Sequence, residues 1–193
     1  MMGDDVSGKR SAACRESILC AASEILEERG YLDLTIEQVA SRAHAGKQTI
    51  YRNWGGKPQL ALAAMSHKAS TFTTPDTGSL DTDLHAALTA LTQKMSTPGK
   101  AAMLGGLLAE AQTDEAFGQA FREAMVQSRC RILSAVLDRA VERGELSPDV
   151  DRHVLLDMIY GPVWYRLLVS REPLDGPFVD TLTRQVLAAA HGT

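Results

Sequence analysis

Lys47, Gln48, Thr49, Tyr51 and Arg52 place two cations, an amide, a hydroxyl and a phenol within six residues, between Gly46 and Trp54. On a helix, Ile50 and Trp54 are four apart and point inward together, which leaves the polar side chains on the other faces. A short amphipathic helix with such donors suits the major groove of double-stranded DNA. Gln48 and Thr49 are expected at base edges, and Tyr51, Lys57 and Arg52 at phosphates. Other chemistries are poorly supplied. The five histidines, His44, His67, His85, His153 and His191, are scattered, so their spacing proposes no Ser–His–Asp arrangement. His153 and Asp157 lie one helical turn apart, but two ligands alone fit a solvated pair at a helix start better than a metal site. No glycine-rich phosphate loop follows a strand. The expectation is no enzyme, no metal and no cofactor.

A reading helix needs a partner to hold it. Thr35 can cap a preceding helix, and Gln38 three residues on completes a capping box. Ile36, Val39, Ala40 and Ala43 then share one buried face. His44-Ala45-Gly46 breaks the pattern, and Gly46 can cap the second helix. Residues 35–54 therefore predict a helix-turn-helix, with Thr35, Lys47, Gln48, Thr49, Tyr51, Arg52 and Lys57 as the candidate DNA-facing set. Lys57 stands beside Pro58, which fits the first turn of a further helix whose free N–H groups suit a phosphate oxygen.

Charge agrees with this. From Gln38 to Pro75 there is no Asp or Glu, whereas Arg42, Lys47, Arg52, Lys57 and Lys68 are positive. The whole chain carries −4, and residues 1–68 hold nine Lys and Arg against eight Asp and Glu. A basic stretch on an acidic protein reads as a phosphate footprint.

The chain resembles the TetR family of transcriptional regulators. The resemblance is carried by Ile18-Leu19-x-Ala-Ala, Glu28-Arg29-Gly30-Tyr31, Thr35-Ile36, Val39-Ala40, Lys47-x-Thr49-Ile50-Tyr51-Arg52 and Lys57-x-x-Leu60, and at the other end by Gly161-Pro-x-x-Tyr165-Arg-Leu-Leu and Glu172-Pro173-Leu174. Two positions depart from the family: His44 stands where a turn glycine is usual, and Gly46 where serine is common. The resemblance implies a dimer built from the last two helices, and an effector pocket among the fifth to eighth helices. Leu88, Met103, Leu107, Phe121, Met125, Met158 and Trp164 are the pocket candidates; ordinary core packing explains each equally well.

With 193 residues, 45% hydrophobic and only 5% aromatic, the chain can bury a core and favours helix over sheet. The fold expected is all-α: a three-helix helix-turn-helix domain, then a helical bundle, about nine helices in all. Residues 1–12 are expected as a flexible arm, in which Lys9 and Arg10 can touch DNA. Residues 13–70 form the DNA-binding domain, and 80–193 the ligand-binding and dimerisation domain. The first helix is placed at 13–29, with Gly30 as its cap. A long helix is placed at 114–143. An eighth helix over 151–171 has almost no polar face, so part of it should meet a second subunit. Leu155, Ile159, Val163, Leu182 and Val186 are the interface candidates, and Pro162 should kink that helix. Cys14, Cys20 and Cys130 lack zinc-like spacing and read as free thiols of a reducing cytoplasm. No apolar run reaches the ~18 residues of a membrane span.

The functions in view are three. One is a homodimeric repressor released from a palindromic operator by a small molecule. The second is a constitutive dimeric DNA-binding protein without ligand. The third is a helical small-molecule-binding protein whose basic segment is incidental.

Overall fold

A computed structural model describes residues 4–68 and 74–191, and the side chains within them except 4–10, 68, 126–131 and 191. Nine α-helices are described: α1 (Asp4–Asp33), α2 (Ile36–Arg42), α3 (Lys47–Trp54), α4 (Lys57–Lys68), α5 (Leu80–Met95), α6 (Lys100–Thr113), α7 (Glu115–Glu142), α8 (Arg152–Tyr165) and α9 (Gly176–His191). A π-helical segment, Arg166–Ser170, extends α8. No strand occurs among the described residues. None of these helices is long and apolar enough to cross a membrane.

The chain divides into two compact units. One comprises residues 1–71 with 98–124, and the other 72–97 with 125–193.

In the first unit α1 packs against α2, α4 and α6, while α3 sits between α2 and α4 in sequence and touches both. The inward stripe Ile18, Leu19, Ala22, Ile25 and Leu26 is buried as its spacing requires. α1 begins at Asp4, so residues 4–12, expected as an arm, are helical; residues 1–3 and the Lys9 and Arg10 side chains lie outside the described set. Gly30 breaks the helix with φ +80, a region that costs a glycine little. α4 starts one residue earlier than expected, at Lys57, and Pro58 is its second residue. The missing N–H still falls in the unbonded first turn.

In the second unit α5 packs on α9, and α9 on α8. Leu84, Leu88, Leu133, Val136, Leu137, Ile159, Val163 and Val186 form the centre of its core. The N-terminus of α5 is held by a polar cluster. Asp83 is buried and accepts from the Thr77 N–H at 2.6 Å, the Thr77 hydroxyl at 2.8 Å and Arg143 Nη2 at 3.2 Å. Arg143 also pairs with Glu145, whose carboxylate accepts the Leu80 N–H.

α8 does not break at Pro162. The helix runs on to Tyr165, and the irregularity appears beyond it as the π-helical segment. Arg171, in left-handed conformation at φ 58, ends that segment. Arg166 then closes the path to α9, donating to Pro173 O at 2.8 Å and stacking 4.2 Å from the Phe178 ring centroid.

Candidate nucleic-acid interface

Local chemistry builds the helix-turn-helix as its residues require. The Thr35 hydroxyl accepts the Gln38 N–H at 3.2 Å, and the Gln38 side chain accepts the Thr35 N–H at 3.1 Å. Ile36, Val39 and Ala40 are buried behind that box. The turn places His44 at φ 50, so the residue standing in the usual glycine position adopts the left-handed conformation itself. His is among the side chains that tolerate it. Gly46, extended, caps α3 without a side chain.

α3 is anchored by Ile50, with no exposed surface, and Trp54, 8% exposed. Full burial of one such side chain stabilises by about 1.5–3 kcal/mol. The guanidinium of Arg15 covers the Trp54 ring at 5.3 Å and ties α1 to the same anchor. Lys47, Gln48, Tyr51 and Arg52 are exposed on the opposite side, with Tyr51 at 51%. Their i, i+1, i+4, i+5 spacing makes them one face. Thr49 is half-buried, and its carbonyl accepts from Asn53 Nδ2 at 2.8 Å. Thr35 is exposed; its hydroxyl is an acceptor in the cap and keeps a proton to donate.

The basic stretch is less free than its composition suggested. Arg42 forms a two-pronged pair with Glu28, both arms at 2.9 Å, and lies 3.7 Å from Glu24. Lys47 Nζ is 2.7 Å from Glu37 Oε1. Hydrogen bonds from these cations hold the Glu28 and Glu37 carboxyls below the usual range, and raise Arg42 and Lys47 in return. The acids come from α1 and the start of α2, just outside the acid-free span. Lys57 is differently engaged. Its Nζ donates to Leu32 O at 3.0 Å and sits 4.5 Å over the Tyr31 ring, and burial lowers its pKa. Arg52 alone of these cations has neither ion pair nor hydrogen bond among the described residues, while the Lys68 side chain lies outside them.

The remaining candidates fall in both units. Met103, Leu107 and Phe121 are buried in the first, where Phe121 packs on Phe117 with centroids 6.2 Å apart. Leu88 is in the core of the second; Met125 and Trp164 are half-buried there, and Met158 is 38% exposed.

The expected interface set lies inward. Leu155, Ile159 and Val163 are buried within the protomer. Leu182 and Val186 line a groove of about 490 Å³ between α8 and α9, together with Met158, Pro162, Arg166 and Gln185. The apolar side chains left in solvent are others: Val154, Met158, Tyr165 and Val169, 38–65% exposed. Their spacing, offset from the inward residues, follows one face of the helix. A helix apolar on both faces conceals, without its neighbours, which set turns inward.

Comparison with known proteins agrees with this architecture. Residues 18–64 match the family of bacterial regulatory proteins, tetR family, and residues 74–186 match the tetracyclin repressor-like C-terminal domain. The chain is 34% identical to a DNA-binding transcriptional repressor TetR of Mycobacteroides abscessus, over 92% of each protein. It is 29% identical to the uncharacterized HTH-type transcriptional regulator YdeS of Bacillus subtilis, over 95% of this chain and 93% of that one. Among solved structures it is similar to the TetR family transcription regulator SCO0332, at 36% identity and a TM-score of 0.82, over 91% of this chain and 97% of the other.

Proposed function

The chain belongs to the TetR family of DNA-binding transcriptional regulators, and from that premise we propose that it is a homodimeric repressor released from a palindromic operator by a small-molecule effector. The observation that carries the reading of DNA is the exposed face of α3, held rigid by Ile50 and Trp54 beneath it. Gln48 and the half-buried Thr49 reach base edges; Tyr51 and Arg52 take phosphates, with Thr35 at the start of α2 and Lys47 once it leaves Glu37. Lys57 first supports the head through Tyr31 and Leu32, and can meet a phosphate only by leaving that seat. Repression is supported by the 34% identical relative, a DNA-binding transcriptional repressor.

The dimer face that fits the exposure of side chains is the outer stripe of α8, continued by the groove on α9. The domain roles proposed are DNA binding for residues 13–70, and ligand binding and dimerisation for residues 80–193. An effector touching Met103 or Leu107 on α6 would bear directly on α1 and α4, because α6 packs against both. A coupling of about 1–3 kcal/mol would lower operator affinity about 5- to 150-fold. The complete burial of Leu88 and Leu107 also suits a filled core and constitutive binding.

One experiment tests the main reading. DNA selected from a random pool by the full-length protein should converge on a palindrome, and a ligand that raises the melting temperature should weaken that complex. A pool that stays random excludes sequence-specific regulation; a palindrome that no stabilising ligand weakens leaves the constitutive regulator.

A further inference from the structure

A mixed set of metal-binding side chains meets on the surface of the first unit. Glu16 and Cys20 are one turn apart on α1, and His67 lies near the end of α4, 51 residues from Glu16. His67 Nε2 is 2.8 Å from Glu16 Oε1, and Cys20 Sγ is 4.0 Å from the same oxygen. One ligand atom from each residue lies within 4.8 Å of the others. We propose that these three side chains form a Zn²⁺ site that staples α1 to α4.

Zinc takes thiolate sulfur at about 2.3 Å and imidazole or carboxylate atoms at about 2.0–2.1 Å, which in a tetrahedron sets neighbouring ligand atoms about 3.3–3.6 Å apart. The separations of 2.8 and 4.0 Å bracket that range, so small rotations of exposed side chains suffice. The backbones are already fixed. The Ser23 hydroxyl donates to Ala64 O at 3.2 Å, further along the same α1–α4 contact, and sets its register. Charge also closes: a carboxylate, a thiolate and a neutral imidazole balance the dication. A water completes the fourth position, which three protein ligands leave open.

A surface Glu–His pair by itself explains two of these residues. It leaves the thiol with only a long, 4.0 Å approach to the same carboxylate. Cys20 is exposed, although cysteine is among the most often buried side chains. Nor does Cys14 offer it a disulfide, since both thiols are free and six residues along a helix separate their Cα atoms by about 9 Å. Binding would release the thiol proton, so affinity should rise with pH.

The test uses the full chain, first freed of metal with chelator. Co²⁺ serves as the spectroscopic probe and Zn²⁺ in competition with a chromogenic chelator as the affinity measure. One equivalent of metal per chain should bind, with the near-ultraviolet absorption of a thiolate–Co²⁺ bond, and Zn²⁺ should raise the melting temperature. Cys20→Ser and His67→Gln should each weaken Zn²⁺ at least about tenfold, while Cys14→Ser should not. All three positions lie outside the core, and melting curves without metal confirm that the variants are folded. Absence of stoichiometric metal, or binding that survives either Cys20→Ser or His67→Gln, overturns the site.

Discussion

Lys47 Nζ lies 2.7 Å from Glu37 Oε1, so the first residue of the reading helix is tied to the first turn of the helix that supports it. Both side chains are more than half exposed, and such a pair contributes little to folding. Its effect falls on DNA binding, because the carboxylate competes with phosphate for the same ammonium and itself repels the backbone. Glu37→Gln should leave the melting temperature unchanged and tighten DNA about 3- to 10-fold, with a salt slope steeper by up to about one. Fluorescence anisotropy across a salt series measures both; unchanged or weaker binding would show that Lys47 takes no part.

Gln48 and Arg52 share the exposed face of α3 but should differ in kind. Loss of a base contact in Gln48→Ala should cost about 1–3 kcal/mol and relax specificity at one operator position. Arg52→Ala should weaken all sequences alike and reduce the salt slope by about one. Binding measured over a panel of single-base operator variants separates the two, and a uniform loss in both mutants removes Gln48 from the bases.

The helix-turn-helix was legible because its signals are local. The capping box of Thr35 and Gln38, the turn at His44 and the Ile50–Trp54 anchor all act within five residues. What stayed hidden depends on chain segments brought together by packing. Glu28 reaches Arg42 across 14 positions, and the acid-free span of the sequence could not report acids arriving from α1. The orientation of α8 was hidden for another reason: both of its faces are apolar, so the inward set Leu155, Ile159 and Val163 and the outward set Val154, Met158 and Val169 look alike without their neighbours. His67 came beside Glu16 and Cys20 in the same way, through the α1–α4 contact rather than any spacing.

Gly106 marks a close approach of α6 to α1. A Cβ there would lie 2.5 Å from Tyr31 Cδ1. The ring has little room to retreat, since Lys57 covers it at 4.5 Å. Burial, and then the Glu110 carboxylate, push its phenol up to about 12, so the hydroxyl stays protonated. Gly106→Ala gains helix propensity of about 1 kcal/mol but meets overpacking of about 1–3 kcal/mol. The net cost of up to about 2 kcal/mol should lower the melting temperature by up to about 8 °C, measured by calorimetry. A rise would mean that Tyr31 yields freely.

Asp83 should govern acid stability of the second unit. Burial alone would raise its pKa, but hydrogen bonds from Thr77 and the Arg143 charge outweigh it, and the carboxyl lies below its usual value. A depressed pKa means that the stabilisation is complete above the unfolded value of about 4 and is lost as pH falls through the folded one. Asp83→Asn should cost about 1.5–3 kcal/mol at pH 7 through its charged hydrogen bonds. Urea unfolding should show the gap from wild type narrowing below pH 4; a gap that stays constant with pH would exclude the ionised carboxylate as its cause.

The outer stripe of α8 supplies the sharpest test of assembly. Met158 is 38% exposed and lines the same groove as Leu182 and Val186. A charge at Leu182, 7% exposed, would damage the protomer before it reported on any partner. Met158→Glu places the charge outside the core, so helicity and melting of the protomer should persist while the dimer separates. Two reading heads on linked half-sites bind at high effective concentration, and a monomer forfeits that advantage with its reading helix intact. The half-sites should be separated by about 34 Å, one helical turn, or a multiple of it. Sedimentation at micromolar concentration should therefore give a wild-type dimer and a folded Met158→Glu monomer that has lost the operator. A wild-type monomer, or a variant still dimeric, would place the subunit contact elsewhere on the chain.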